Sequence, residues 1–168
     1  KDNRYPAAEW TAGGAYIIAD KGGLTNKLWM YHKDGGSGVQ LIDEPESLRT
    51  IDPAVSPDGR FIYYSRRMGA WNYNAQLPQY QLGVYDRENG ETSTITSRYG
   101  SAFTPVVSPD SKWLVYGSRY EDQTGLVIRN RDNGDERWLA YPVQSDEQES
   151  RATMGVDPGM SFTPDIEE

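Results

Sequence analysis

The apolar residues of this chain fall in short runs, and clusters of Gly, Pro, Asp, Asn and Ser separate the runs. Residues 61–65 and 113–117 are almost continuously apolar, as expected for strands that are covered on both faces. Residues 91–94 are polar, as expected for an exposed edge strand. No window carries the i, i+3, i+4, i+7 stripe of a helix, and Pro interrupts most candidates. The pattern therefore predicts an all-β protein of short strands and turns.

One sequence motif recurs along the chain. Residues 53–65 match residues 105–117, a weaker copy covers residues 10–19, and residues 160–165 match the start of a fourth copy. One position of the repeat carries a hydroxyl residue at successive spacings of 45, 52 and 55 residues: Thr11, Ser56, Ser108 and Thr163. Repetition on this scale indicates stacked units, none of which can bury its apolar faces alone.

Each unit reads as four strands joined by turns. The first strand runs into a Ser-Pro-Asp-Gly turn, and a Gly-containing hairpin signal precedes the polar fourth strand. A four-stranded unit with two apolar faces and a polar outer edge is a propeller blade. The predicted fold is therefore a partial β-propeller of about three blades, each with four antiparallel strands. The predicted blades cover residues 11–52, 53–104 and 105–160, and residues 160–164 are predicted to form the first strand of a further blade.

The repeated turns have their own chemistry. Asp58 and Asp110 are expected to accept hydrogen bonds from backbone N–H groups two residues further on, because Asp forms this turn readily. Ser111 stands where the previous copy has Gly59, so it lacks the residue that makes a positive φ easy.

Composition narrows the classes of partner. The chain has 168 residues, of which 36% are hydrophobic, so it is too apolar for a disordered segment. Its net charge of −8 argues against nucleic acid and anionic membrane surfaces as partners. No stretch approaches the roughly 20 apolar residues that span a bilayer, so membrane insertion is not expected. Without Cys there is neither a disulfide framework nor a thiolate site.

The Ser-Pro-Asp-Gly turn before an apolar strand, at residues 56–59 and in altered form at 108–111, resembles the TolB-like, WD-type propeller repeats. The resemblance covers three matched units. It implies a non-catalytic scaffold for protein–protein or interdomain contacts, in a periplasmic or secreted protein. Three blades are fewer than the four to eight that close a ring. We therefore expect further blades outside this chain, or two chains that pair as half-rings.

A narrower resemblance gives an alternative function. Residues 66–82 and 141–165 look like the N-terminal propeller of large bacterial amidohydrolases, in which a separate metal-dependent hydrolase domain follows the blades. A third alternative is the propeller of a serine peptidase. These alternatives differ in the sequence expected beyond Glu168: a His-x-His pair for the amidohydrolase and a Gly-x-Ser-x-Gly elbow for the peptidase.

The segment itself lacks the residues of a catalytic centre. Its single histidine, His32, cannot supply the several His ligands of an amidohydrolase metal site, and no Gly-x-Ser-x-Gly elbow surrounds any serine. The acidic clusters at 43–46 and 146–149 lack the spacing of a calcium loop. We therefore expect no catalytic residue, no metal ligand and no cofactor.

Two insertions, at residues 66–81 and 141–159, are the candidate partner sites. Aromatic and Arg residues are enriched at binding hot spots. The candidate binding residues are Arg66, Arg67, Trp71, Tyr73, Tyr80 and Arg151. The alternatives are that the first insertion packs on its own blade or on a neighbouring domain and that the second is an interdomain strap. The expected partners are another protein, the chain's own downstream domain, or a second copy bound through exposed blade faces.

Overall fold

The computed structural model of the protein describes residues 7–22, 26–43, 48–68, 79–120, 123–145 and 160–163. Within these ranges all regular structure is β, in three four-stranded antiparallel sheets, and no helix is present that could cross a membrane. In each sheet the strands lie side by side in chain order. The predicted all-β fold of four-stranded antiparallel propeller blades is therefore confirmed.

The three sheets are called blades one, two and three. Blade one consists of β1 (Ala8–Trp10), β2 (Tyr16–Lys21), β3 (Lys27–His32) and β4 (Val39–Gln40). Blade two consists of β5 (Thr50–Val55), β6 (Phe61–Arg67), β7 (Tyr80–Asp86) and β8 (Thr92–Thr94). Blade three consists of β9 (Phe103–Val107), β10 (Trp113–Tyr120), β11 (Gln123–Asn130) and β12 (Glu136–Ser145). Residues 160–163 are not in a strand, and the end of the strand predicted at 160–164 lies outside the described residues.

The core of the protein lies between the blades. Ile18 and Leu28 of blade one pack with Ile62 and Tyr64 of blade two, and all four are fully buried. Two further clusters join blade two to blade three, one of them around Leu82. The second strand of the repeat is buried on both faces, because four consecutive β6 residues are buried. The continuous apolar runs of the sequence therefore mark the strands that separate two layers of core.

The repeated turns adopt the expected geometry. In blade two the Ser56 hydroxyl donates to Asp58 Oδ1 (2.5 Å), and the backbone N–H of Arg60 donates to the same oxygen (3.0 Å). Ser108 and Asp110 repeat both features in blade three, again with a 2.5 Å hydroxyl contact. The donated hydroxyl is the main reason that the pKa values of Asp58 and Asp110 lie below their usual range. The turn chemistry predicted from the sequence is confirmed.

We expect Ser111→Gly to stabilise the protein. Ser111 has a φ of 61°, where the matched Gly59 has 75°, and a side chain is disfavoured in this left-handed region. The relief outweighs the extra chain entropy of glycine, so the free energy of unfolding should rise by about 0.5–1 kcal/mol. Urea denaturation measures the change.

The reverse substitution, Gly59→Ser, is the matched control. A Cβ at Gly59 would stand 2.9 Å from the Cβ of Ala12 in blade one, so this variant should lose stability. A Ser111→Gly variant less stable than the parent would contradict the prediction.

Candidate functional site

The structure describes three of the six predicted binding residues. Arg66 and Arg67 end β6, and Tyr80 begins β7 directly opposite Arg67. Trp71, Tyr73 and Arg151 lie outside the described residues. The described part of the first predicted insertion is thus largely strand, because Arg66 and Arg67 pair with Gln81 and Tyr80 and lengthen the β6–β7 hairpin.

Tyr80 connects blade two to blade three instead of facing solvent. Its side chain is only 1% exposed, and its backbone N–H donates to Ser101 Oγ (3.2 Å). Burial raises the pKa of the phenol, whereas the charges of Arg49 and Arg67 lower it. A ring in this environment stabilises the junction between the blades, and no partner can reach it without opening the core.

Arg66 and Arg67 are half-buried and more accessible than Tyr80. The Arg66 guanidinium donates to the Thr94 hydroxyl on β8 (2.6 Å), and the Arg67 backbone N–H donates to the Arg49 carbonyl (2.9 Å). Both residues therefore help hold this end of blade two together. Their role in binding a partner stays a prediction.

The second predicted insertion also begins later than expected. β12 continues to Ser145, so residues 141–145 are strand and not part of a connection without strand pattern. The physical reason is the long β10–β11 hairpin, whose residues Gln123 and Thr124 offer pairing partners to Ser145 and Gln144. β12 has ten residues, whereas β4 has two and β8 has three. Blade three therefore has an outer strand unlike those of the other blades.

Three aromatic rings meet where β12 passes the end of β10, and we call them the aromatic corner: Tyr120, Trp138 and Tyr141. The Tyr141 ring lies 6.0 Å from the Tyr120 ring, edge to face, and 5.4 Å from the Trp138 ring. The Tyr141 hydroxyl donates to the Tyr120 carbonyl (2.8 Å). The three residues remain between 38% and 59% exposed. They are a preorganised apolar surface with polar groups at its margin.

Gly125 provides the room for this arrangement. A Cβ at Gly125 would stand 2.7 Å from the Tyr141 ring and 2.8 Å from the Trp138 ring. Only a residue without a side chain lets both rings lie this close to the β11 backbone. The aromatic corner thus depends on close contact with the β11 backbone at Gly125 as well as on its own side chains.

A guanidinium covers part of the aromatic corner. Arg98, from the connection between blades two and three, lies 5.1 Å from the Trp138 ring. It is held by Glu136 (3.0 Å) and by the Ser118 hydroxyl (3.2 Å). The adjacent Tyr99 is fully exposed. The corner therefore combines Trp, Tyr and Arg, the residue types that are enriched at protein interfaces.

Sequence reasoning missed the aromatic corner. Residues 138–143 read Trp-Leu-Ala-Tyr-Pro-Val, whereas the matched outer strand β8 reads Thr-Ser-Thr. That contrast in hydrophobicity between equivalent strands was an available signal. An outer strand that is more apolar than its counterparts indicates a surface with a use beyond solubility.

A second candidate region is the cavity between the inner strands. β1, β5 and β9 border a space of about 380 Å³, lined among others by Glu9, Asp52 and Thr104. Burial raises the pKa of Glu9 and of Asp52, and hydrogen bonds from Ser65 and Thr104 partly oppose the shift at Asp52. The mostly apolar lining therefore contains two carboxyl groups that hold their protons to a higher pH than usual.

Asp20 and Ser65 have the same structural role in neighbouring blades: each side chain accepts a hydrogen bond from the backbone of the next blade. They stand 45 residues apart, at matched positions of β2 and β6. The Ser65 hydroxyl accepts a hydrogen bond from the Thr104 backbone N–H (2.8 Å), and the Asp20 carboxyl accepts one from the Asp52 backbone N–H. Asp52 and Thr104 both have positive φ, 54° and 52°. A polar side chain of one blade thus stabilises the irregular first strand of the next.

The carboxyl group of Asp20 has an unusual environment. Burial is the largest influence on its pKa and the charge of Asp52 the next, and together they raise it to about 7. Its Oδ1 is buried and has no hydrogen-bond partner among the described residues. The junction between blades one and two therefore contains a group that titrates near neutral pH.

The described ranges contain no group of three or more His, Cys, Asp or Glu side chains that could hold a metal ion. His32 ends β3, is exposed, and places its Nδ1 3.6 Å from Asp34 on the adjoining turn. The neighbouring Lys33 also contacts Asp34 (2.8 Å). These contacts join the exposed end of β3 to the adjoining turn.

Comparison with known proteins shows the fold. No family model and no curated protein matches the chain. Among solved structures, a protein described as TolB from Agrobacterium tumefaciens matches with a TM-score of 0.65 and 19% identity, over 83% of this chain and 50% of that one. The chain thus spans half the length of that protein.

Two enzymes share the same architecture. Oligogalacturonate lyase from Vibrio parahaemolyticus matches with a TM-score of 0.62 and 13% identity, over 80% of this chain and 39% of that one. The tricorn protease matches with a TM-score of 0.58 and 14% identity, over 84% of this chain and 16% of that one. At these identities the likeness shows that the chain has the β-propeller fold of TolB, peptidases and lyases.

Proposed function

We propose that this chain is a non-catalytic β-propeller scaffold that binds a protein partner through the aromatic corner of blade three. The observation that carries the proposal is the group of partly exposed rings of Tyr120, Trp138 and Tyr141 beside Arg98. Trp, Tyr and Arg are enriched among the few residues that supply most of the binding energy at protein interfaces. Partly exposed rings on an outer strand suit a protein surface, whereas small molecules bind in concave pockets.

The rigidity of the corner favours binding. Tyr141 is fixed by its bond to the Tyr120 carbonyl, and Arg98 is fixed by Glu136 and Ser118. Side chains that are already ordered lose little conformational entropy when a partner binds. Tyr and Trp also have few rotatable bonds for the area that they bury. A partner with an apolar or aromatic protruding side chain is the best complement.

The test is selection of binders from a peptide library displayed on phage. We expect selected peptides to bind the parent chain and to lose about tenfold or more in affinity on replacement of Trp138 and Tyr141 by Ser, because hot-spot aromatics contribute at least this much. The matched control is Val39→Ser, which removes an exposed apolar side chain from the outer strand of blade one. Peptides that bind all three proteins equally would contradict the proposal.

A second candidate function is that of a propeller that accompanies a catalytic domain. The tricorn protease supports it, because the present chain matches only 16% of that protein. The metal-dependent amidohydrolase is the specific form implied by residues 66–82 and 141–165, and it stays a prediction, as does a periplasmic or secreted location. The sequence of the parent reading frame beyond Glu168 tests this candidate, since a His-x-His pair or a Gly-x-Ser-x-Gly elbow would identify the accompanying domain.

A further inference from the structure

Each blade of this chain packs on the next through matched positions. We call the side of a blade that packs on the following blade its rear face, and the opposite side its front face. The rear face of blade one includes Ile18 and Leu28, which are buried against Ile62 and Tyr64 on the front face of blade two. The same interface forms again between Tyr63 of blade two and Leu114 of blade three. The chain thus builds one type of contact twice.

The rear face of blade three has the same character, but the described residues cover it only in part: Val115 is buried, whereas its neighbours on this face are not. Val115 and Leu126 occupy the positions of Tyr63 and Leu82 in the repeat, and Leu139 occupies that of Ile95. Leu82 is fully buried, whereas Leu126 is half-buried and Leu139 is 45% exposed. These residues line a groove of about 510 Å³ that residues 160–163 border on one side. An apolar sheet face of this kind needs a partner.

The front face of blade one is its counterpart. Trp10 and Ile17 occupy the positions of Val55 and Ile62, the residues with which blade two contacts the rear face before it. Trp10 is 56% exposed. Trp29 and Tyr31 stack on the same face, with ring centres 6.4 Å apart. The rear face of blade three and the front face of blade one are therefore complementary. They correspond to the two surfaces that pack together at each of the two interfaces between blades.

We propose that two copies of this chain associate head to tail, so that the rear face of blade three in each copy packs on the front face of blade one in the other. The contact continues the established interface between blades. Head-to-tail contacts form a closed ring when the rotation permits it, and propellers close with four to eight blades. Two copies with three blades each fall within that range. The proposal is independent of the aromatic corner.

Light scattering coupled to size-exclusion chromatography tests the proposal. We expect the chain at about 100 µM to have twice the 18.9 kDa mass of a single chain. Leu139→Asp places a charge on the rear face, and Trp10→Asp places one on the front face. Each variant alone should weaken the dimer by about 100-fold or more, because both contacts of the ring then contain an unpaired charge.

Mixing the two variants distinguishes head-to-tail pairing from its alternatives. A mixed pair retains one intact contact, between the rear face of the Trp10→Asp copy and the front face of the Leu139→Asp copy. Association should therefore recover on mixing. The control Val39→Asp introduces a charge on an exposed side chain outside both faces and should remain dimeric, and circular dichroism establishes that each variant is folded.

Three outcomes would overturn the proposal. A parent chain that is monomeric at 100 µM would show that the faces are covered in another way, for example by further blades of a longer polypeptide. A Trp10→Asp variant that stays dimeric would show that rear faces pair with each other. Open-ended assemblies of the parent would show that the contact does not close into a ring.

Discussion

Replacement of Gly100 by Ala is expected to prevent the protein from folding stably. Gly100 lies in the connection between blades two and three, and a Cβ at this position would collide with the Arg119 carbonyl oxygen. The obstacle is backbone, so no side-chain rotation can relieve it. The same connection is tied to β10, because the Arg119 backbone N–H donates to the Gly100 carbonyl (2.8 Å). Relief of the collision would require breaking this bond and moving the connection away from β10.

The expected loss in free energy of unfolding is more than about 4 kcal/mol, the range of severe core disruption. Urea denaturation followed by circular dichroism measures it, and absence of soluble folded protein is the extreme form of the same result. Two further glycines act as graded controls. A Cβ at Gly22 would meet no atom within 4 Å, and a Cβ at Gly90 would also point into open space, although the φ there is 74°.

Gly22→Ala should leave stability unchanged or raise it slightly, because the substitution restricts the unfolded chain. Gly90→Ala should cost about 1 kcal/mol, which is the strain of a side chain in the left-handed region. The three variants at Gly22, Gly90 and Gly100 separate three effects on stability: restriction of the unfolded chain, strain in the backbone, and steric collision. If the loss in Gly100→Ala is no larger than that in Gly90→Ala, the close approach between Gly100 and Arg119 is not needed for the fold.

The same residue illustrates what the sequence could predict. The repeat identified the blades because Ser56 and Ser108 are local signals: their turns are formed by residues within five positions of each other. Gly100 carries no such signal, since its role depends on Arg119, which lies on β10 and is distant in the sequence. Local turn chemistry was predictable, and close contacts between residues distant in the sequence were not.

The candidate site was predicted less well, for a related reason. Arg66, Arg67 and Tyr80 were selected for residue type at the edge of an insertion, but strand pairing extends into that insertion and buries Tyr80. The aromatic corner depends on the pairing of β12 with β11 and on the absence of a side chain at Gly125. The type of a residue and its spacing along the sequence do not reveal which aromatic rings remain exposed once the strands have paired.

The acidic junction between blades one and two should make the protein less stable as the pH rises from about 4 to about 7. The folded-state pKa of Asp20 is about 7, whereas the unfolded chain has an ordinary value near 3.8. In this window the folded protein retains a proton that the unfolded chain has released. Stability therefore falls as pH rises, by up to about 1.4 kcal/mol for each pH unit. The raised pKa of Asp52 acts in the same direction.

Asp20→Asn tests the assignment, because the amide keeps the size of the side chain and can still accept a hydrogen bond from the Asp52 N–H. At pH 8 the variant should be more stable than the parent, since the cost of burying a charge beside Asp52 is removed. At pH 4 the two proteins should be nearly equal. Chemical denaturation at intervals of half a pH unit gives both curves, and a parent curve that is parallel to the variant curve would refute the role of Asp20.

Asp86→Asn is the control of opposite sign. Hydrogen bonds from Arg60 hold the pKa of Asp86 below its usual range, and the two side chains approach to 2.7 Å. A carboxyl group with a lowered pKa stabilises the folded state above its unfolded pKa, and this contribution is lost as the pH falls. Asp86→Asn should therefore lower stability at neutral pH and leave the decline between pH 4 and 7 in place. Carboxyl groups with a lowered pKa control the pH dependence of stability at low pH, and Asp20 controls it at higher pH. The parent should therefore be most stable in mildly acidic solution.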